Sequence, residues 1–224
     1  MKLSLKSNFR DFYDFAFDRQ GEVFERLDNA GMSRREMFAY FDELGLKTPV
    51  HGTVRDVVAC LQESFDEQGR ATQGLFLEHL VDLVVYLDEY QHAGEGKVKL
   101  SAKAALEAYP DHYCTEYVPA NHFGTGESLR YLQVGDRKWW IRYWSENDWR
   151  SNAGEGDWEV LCEEKRGYHP RIKYLMFAID FVRAGKHLYA IDFNVAPGLG
   201  PLNGIVSPWD IVALVKRHIM GEKQ

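Results

Sequence analysis

Hydrophobic positions change their period once along this chain. Up to about residue 69 the spacing is helical. Residues 8 to 45 are predicted helical, most clearly over "SRREMFAYFDELG", where Ser33 stands as N-cap, Glu36 holds the capping-box position and Gly45 ends the helix. Pro49, Gly52 and Thr53 predict a turn. "TVRDVVACLQESFDEQG" follows as a second helix with Val54, Val57, Val58 and Leu61 on one face. From about residue 80 the pattern alternates. "DLVVYLDEY" and "GKVKLS" are predicted strands joined by the loop "QHAGEG"; "SAKAALEAYP" is a short helix capped by Ser101 and stopped before Pro110; "YCTEYVP" is another strand. "SLRYLQVG" and "KWWIRYW" make a hairpin about Gly135-Asp136, and "YLMFAIDFVRAG" and "KHLYAIDFNV" make a second about Ala184-Gly185. "SPWDIVALVKRHIM" closes the chain as a helix with Ser207 as N-cap and Pro208 at its first position. Helices followed by an antiparallel half define an α+β fold. The expected division is a mainly helical region over 1–75 and a strand-rich region over 76–224.

Composition narrows the class. A chain of 224 residues that is 45% hydrophobic can bury the core of one or two domains. Its net charge of −7 disfavours a general nucleic-acid binder. No apolar run approaches the roughly 20 residues of a membrane span, and no signal-peptide pattern opens the chain, so no membrane partner is expected. Three cysteines, Cys60, Cys114 and Cys162, are odd in number and widely spaced, which suits a reducing cytoplasm better than a disulfide framework. The composition leaves an oligomer open.

Candidate chemistry begins with "YAIDFNVAPGLGPL". Strand alternation puts Asp192 and Asn194 on one face and Ile191, Phe193 and Val195 on the other. A solvent-facing edge strand would account for that. The preceding strand, however, repeats the "AIDF" and carries Asp180. If the two pair across the Ala184-Gly185 turn, Asp180, Asp192 and Asn194 share a face. Carboxylates opposed on a sheet repel unless a cation lies between them, and Mg²⁺, which takes hard oxygen ligands, is the natural candidate. A second segment, "SENDWRSNAGEGDWEV", is poor core material. It is a surface loop or an oxyanion site, with Arg150 as a fixed-charge fork and Asn152 and the Gly154 and Gly156 amides as neutral donors. A third, "QHAGEGKVK", pairs glycines with Lys97 and Lys99, although a hairpin turn uses glycine too. Neither a GxxxxGK[ST] loop nor a GxGxxG turn is present. Trp139, Trp140, Trp144, Trp149 and Trp158 crowd one region as core or as the floor of an aromatic pocket.

The order of these pieces resembles the ATP-grasp superfamily, above all its carboxylate–amine ligases such as the ribosomal-protein glutamate ligases and D-alanine–D-alanine ligase. A glycine-loop hairpin, a short helix, "CTEYVP", the Arg130-bearing "ESLRYLQVG", "DWRSNAGEG" and strands ending in "AIDFNVAPGLG" succeed one another as in that family over roughly residues 80 to 215, with "YFDELGLKTP" also similar. The resemblance implies an ATP-grasp fold with a reduced N-terminal helical region. It also implies an ATP- and Mg²⁺-dependent ligase that forms an amide or peptide bond through an acylphosphate and releases ADP and phosphate. Asp180, Asp192 and Asn194 would hold one or two Mg²⁺ ions (Mn²⁺ being the alternative metal). Arg150, with Asn152, would stabilise charge at the transferred phosphoryl and acyl centre, and Arg130 would contact phosphate or acceptor. Glu116, Tyr117 and Val118 would form the hinge strand at adenine, and Gly94, Gly96, Lys97 and Lys99 a lid over the phosphates. The partners so implied are ATP and a carboxylate with an amine, either small molecules or peptides.

The pattern departs from the family in three ways. Leu87 and Asp88 stand where a strand-end lysine is usual, leaving Lys97 or Lys99 to serve. Asp192 is a methylene shorter than the usual glutamate. The chain also has little room for an N-terminal substrate domain. Two further readings follow: a small-molecule kinase on the same fold, and a nucleotide-binding protein without turnover.

Overall fold

The computed structural model describes residues 32–67, 81–91, 96–135, 137–164, 172, 176–194, 197–207 and 210. Predicted features at 8–31, the boundary near 75, Gly94 and most of the closing helix lie outside the described residues. Two compact units are present. One gathers the described residues of Glu127–Phe181 and Asp192–Gln224, the other those of Ala30–Gly126 and Val182–Ile191.

The latter unit opens with α1 (Arg34–Glu43). Its capping box is complete: the Ser33 hydroxyl accepts from the Glu36 amide and the Glu36 carboxylate accepts from the Ser33 amide. That amide also holds the Glu36 carboxyl below its usual pKa, the backbone bond contributing most. Gly45 follows at φ 70°, as a helix stop requires. The predicted turn at Pro49–Thr53 is corrected to a short strand, β1 (His51–Thr53), which pairs antiparallel with β4 (Tyr113–Glu116). Three residues are too few to show an alternation, so the pattern could not reveal it. Helix α2 (Val54–Glu67) and helix α3 (Ala102–Ala108, capped by Ser101) cover one face of a sheet ordered β1-β4-β2-β3. Strands β2 (Asp82–Tyr86) and β3 (Lys97–Ser101) pair antiparallel, as predicted. Val54, Val57, Leu83, Val85 and Cys114 make the core between helices and sheet, with Val58 and Leu61 packed against it.

A five-stranded sheet ordered β7-β6-β5-β8-β9 supplies the other unit, except for the end of the β8–β9 hairpin over Val182–Ile191. Strands β5 (Glu127–Val134) and β6 (Arg137–Ser145) form the predicted hairpin, with Gly135 at φ 61°. Strands β8 (Met176–Ala184) and β9 (His187–Asn194) form the other, with Gly185 at φ 58°. Strand β7 (Gly156–Glu163) stands where the polar, glycine-containing "GEGDWEV" predicts a loop. It is an edge strand exposed along almost its whole length, so neither face had to be apolar and no period was imprinted on it. Tyr131, Trp140, Phe177, Phe181 and Phe193 pack on one face of this sheet, with ring centroids 5.3–6.1 Å apart. No helix among the described residues is long and apolar enough to cross a membrane.

Candidate functional site

The aromatic face fixes where the polar residues go. Phe177 and Phe181 of β8 lie on it, and Phe193 of β9 packs on Phe177, so alternation turns Asp180, Asp192 and Asn194 to the opposite face. The tryptophans divide between the two faces rather than making one floor: Trp139 is fully buried on the carboxylate side, whereas Trp140 packs among the aromatics and donates to Glu164 at 2.7 Å.

Strand β5 lies between β8 and β6, and its register sets Arg130 directly across from Asp180. Their side chains form a two-pronged ion pair, with Nε to Oδ1 and Nη2 to Oδ2 both 2.7 Å. Both are largely shielded from water, at 14% and 12% side-chain exposure, so the pair is weakly screened. Desolvation works against the Arg130 charge, and the attraction of Asp180, with smaller help from Tyr143 and Asp192, outweighs it and raises the pKa. The Tyr143 ring lies 4.8 Å from the guanidinium carbon, with its hydroxyl 3.5 Å from Nη1. Burial pushes the Tyr143 phenol above its usual range, so it stays neutral. The cation expected between the carboxylates is thus supplied, for Asp180, by the neighbouring strand.

The segment after β6 is tied to the same face. Ser128 precedes Arg130 by one strand repeat, and its hydroxyl meets that of Ser151 at 2.7 Å. Ser145 accepts from the Asp148 amide at 3.1 Å and donates to the Ala153 carbonyl at 2.7 Å, closing a compact turn. Within it the Arg150 fork grips Asp148, at 3.0 Å from Nε and 2.9 Å from Nη2, and that hydrogen bonding raises its pKa. Arg150 also lies 5.8 Å from the Trp149 ring centroid. Asn152 is exposed. "DWRSN" is therefore an ordered turn beside the carboxylate face, not free loop. After β9, Leu199 and Leu202 are fully buried and a 3₁₀ turn spans Gly200–Leu202, so the leucines anchor this loop and leave Gly198 and Gly200 exposed.

The donor set suits a hard divalent cation by chemistry: two carboxylates and a carboxamide, all oxygen. Asp180, however, already spends both oxygens on Arg130. Among the described residues no three His, Cys, Asp or Glu side chains gather at metal-binding distance.

In the other unit, Lys99 lies 3.9 Å from Asp82 and 4.3 Å from the Tyr117 ring centroid, and the alternation places Lys97 on the same sheet face. Gly96 stands at φ 63° and its carbonyl accepts from the Leu87 amide at 2.7 Å. The Glu116 amide donates to Val50 and the Tyr117 amide to the Asp82 carbonyl; Val118 is half-buried beyond the strand end. Burial raises the carboxyl pKa of Glu116 and, likewise, the phenol pKa of Tyr117.

Sequence reasoning missed Tyr143, Ser128 and Asp148. Counting back from the Gly135-Asp136 turn pairs Ser128 with Tyr143 and would have found both. The Arg130–Asp180 register joins two strands that do not follow one another in the chain and left no local signal.

Neither a family model nor a curated protein matches this chain. Solved structures do. The ATP-grasp ligase PsnB, complexed with a phosphomimetic variant of minimal precursor, Mg and ADP, aligns over 85% of this chain and 60% of its own at 13% identity and a TM-score of 0.50. A RiPP-associated ATP-grasp ligase of Chryseobacterium gregarium, in complex with ADP and a leader and core peptide, aligns over 91% and 62% at 14% identity and 0.49. D-alanine–D-alanine ligase from Bacillus anthracis aligns over 86% and 69% at 14% and 0.44. The likeness to PsnB establishes an α+β ATP-grasp fold, and this chain spans less than two thirds of the length of the first two proteins.

Proposed function

We propose that this ATP-grasp fold carries an ADP-forming carboxylate–amine ligase. A carboxylate oxygen of one substrate attacks the γ-phosphorus of ATP, the bond to the β-phosphate oxygen breaks, and ADP leaves. An amine then attacks the acyl carbon, phosphate departs, and the nitrogen gives up a proton to leave an amide. The chain's share is positioning and charge neutralisation, which phosphoryl transfer chiefly demands. Asp180, Asp192 and Asn194 would hold Mg²⁺, which when bound neutralises phosphate charge. Arg150 and Arg130 would meet anionic oxygens, with Asn152 as a neutral donor. Gly94, Gly96, Lys97 and Lys99 would cover the phosphates, and the Glu116–Val118 backbone would face adenine.

The single observation carrying this reading is the convergence of Arg130, Asp180, Asp192 and Asn194 on one face of the β5–β8–β9 sheet in a chain of this fold. PsnB was captured with a phosphomimetic variant of minimal precursor, Mg and ADP, which supports nucleotide and metal as ligands here. The test is product analysis with ATP, Mg²⁺ and mixtures of amino acids, polyamines and short peptides. Acceptor-dependent ADP and phosphate in equal amounts are expected; AMP and pyrophosphate would overturn it.

A further inference from the structure

The carboxylate face holds its own cation before any ligand arrives. Arg130 gives Asp180 a partner for each oxygen, at 2.7 Å, and its charge also acts on Asp192. A divalent ion approaching Asp180 alone would meet two obstacles. Both oxygens are already engaged, and the guanidinium would lose its paired anion in a poorly hydrated place, which is costly. A polyphosphate removes the second obstacle, because it offers the fork a new set of anionic oxygens in the planar geometry it prefers. Tyr143 supplies the means. Its ring face supports the guanidinium at 4.8 Å whichever anion the fork grips, so the arginine can change partner without leaving its stack. The uncharged phenol adds no competing anion.

We propose that Arg130 is a placeholder for the divalent cation: it occupies Asp180 in the free protein and passes to phosphate when nucleotide binds, so that the face accepts metal only together with nucleotide. This rests on the ligase reading only in taking a nucleotide polyphosphate as the incoming anion. Two consequences follow. Metal and nucleotide bind with positive coupling, and in the free protein Asp180 is withheld from passing ions.

Mn²⁺ paramagnetic resonance on the full chain, read as loss of the free-ion signal, tests it. Wild type should take up little Mn²⁺ alone and about one to two equivalents with ATP, as metal–nucleotide sites do. Arg130→Met should bind Mn²⁺ without nucleotide at least roughly tenfold more tightly than wild type, with a rise in melting temperature on adding the metal. In the reverse direction, Asp180→Asn frees the fork and should bind metal-free ATP more tightly than wild type does; this variant decides the matter if Arg130→Met does not fold. Wild type that binds Mn²⁺ alone as well as Arg130→Met, an Arg130→Met that binds none, or an Asp180→Asn with unimproved ATP affinity overturns the placeholder. If wild type binds neither ATP nor Mn²⁺–ATP, the nucleotide-site reading itself fails and takes the placeholder with it.

Discussion

Single residues show the physical chemistry most directly where burial and charge conflict. Glu116 is a strand residue whose carboxyl is raised, chiefly by burial, while Val50 and Lys47 only partly offset the effect. A raised folded-state pKa means that the ionised side chain destabilises the fold once both states are charged, and that the penalty is absent below the unfolded value near 4.5. Glu116→Gln should therefore melt roughly 2–4 °C higher than wild type at pH 7, with the gain vanishing by pH 4. Equal melting at pH 7 would assign the carboxylate a compensating partner. Cys114 follows the same sign at the alkaline end. Desolvation, with Asp56 adding to it, pushes its thiol from 9.0 up to about 12. The stability it contributes is intact below about pH 9 and lost as pH climbs toward the folded value, alongside the raised Tyr113, Tyr117 and Tyr143. In a thiol titration at pH 8 the native protein should expose Cys60 and Cys162 and withhold Cys114 until denaturant is added. Three thiols reacting at one rate in the native protein would contradict that burial.

Elements were legible wherever two faces differ in polarity. The two predicted hairpins form, because their glycines adopt the positive φ that tight turns favour and their strands bury one face on aromatic side chains. The Ser33 and Ser101 caps were readable for the same local reason: the cap is written within four residues. Strand β7 was not, since an exposed edge imposes no alternation, and the Arg130–Asp180 contact was not, since register between non-consecutive strands is set by the whole sheet. The face shared by Asp180, Asp192 and Asn194 was derivable from parity alone; the arginine filling it was not. Edge strand β7 depends on its first residue. Gly156 pairs with Ser145, and an added Cβ would sit 2.5 Å from the Trp144 carbonyl oxygen, a backbone atom that cannot rotate away. Gly156→Ala should destabilise the protein by about 1–3 kcal/mol, the usual range for overpacking, with hydrogen exchange accelerated first over β7. Melting like that of wild type would show that the edge shifts freely to accommodate the methyl.

At the scale of the whole molecule, ligase and kinase differ in what must be kept from water. An acylphosphate is lost if water reaches it, whereas a phosphorylated alcohol is stable, so water exclusion matters more to the ligase. The loop after β9 rests on a buried apolar anchor. Pro197 and Pro201 are buried and fix φ, Leu199 and Leu202 are fully buried, and the 3₁₀ turn is held by the Leu202 amide on Leu199 and the Asn203 amide on Gly200, both 3.0 Å. Gly198 and Gly200 stand exposed beside that anchor. A ligase using this loop should accumulate an intermediate that hydroxylamine intercepts as a hydroxamate, at the expense of amide product and with ADP release undiminished. Replacing Leu199 with alanine would loosen the anchor without touching charge. The expected result is phosphate release that outruns amide formation, because water now competes with the amine. If instead the label of γ-³²P-ATP stays on a stable small molecule, no hydroxamate forms, and Leu199→Ala lowers turnover without uncoupling it, the fold serves a kinase.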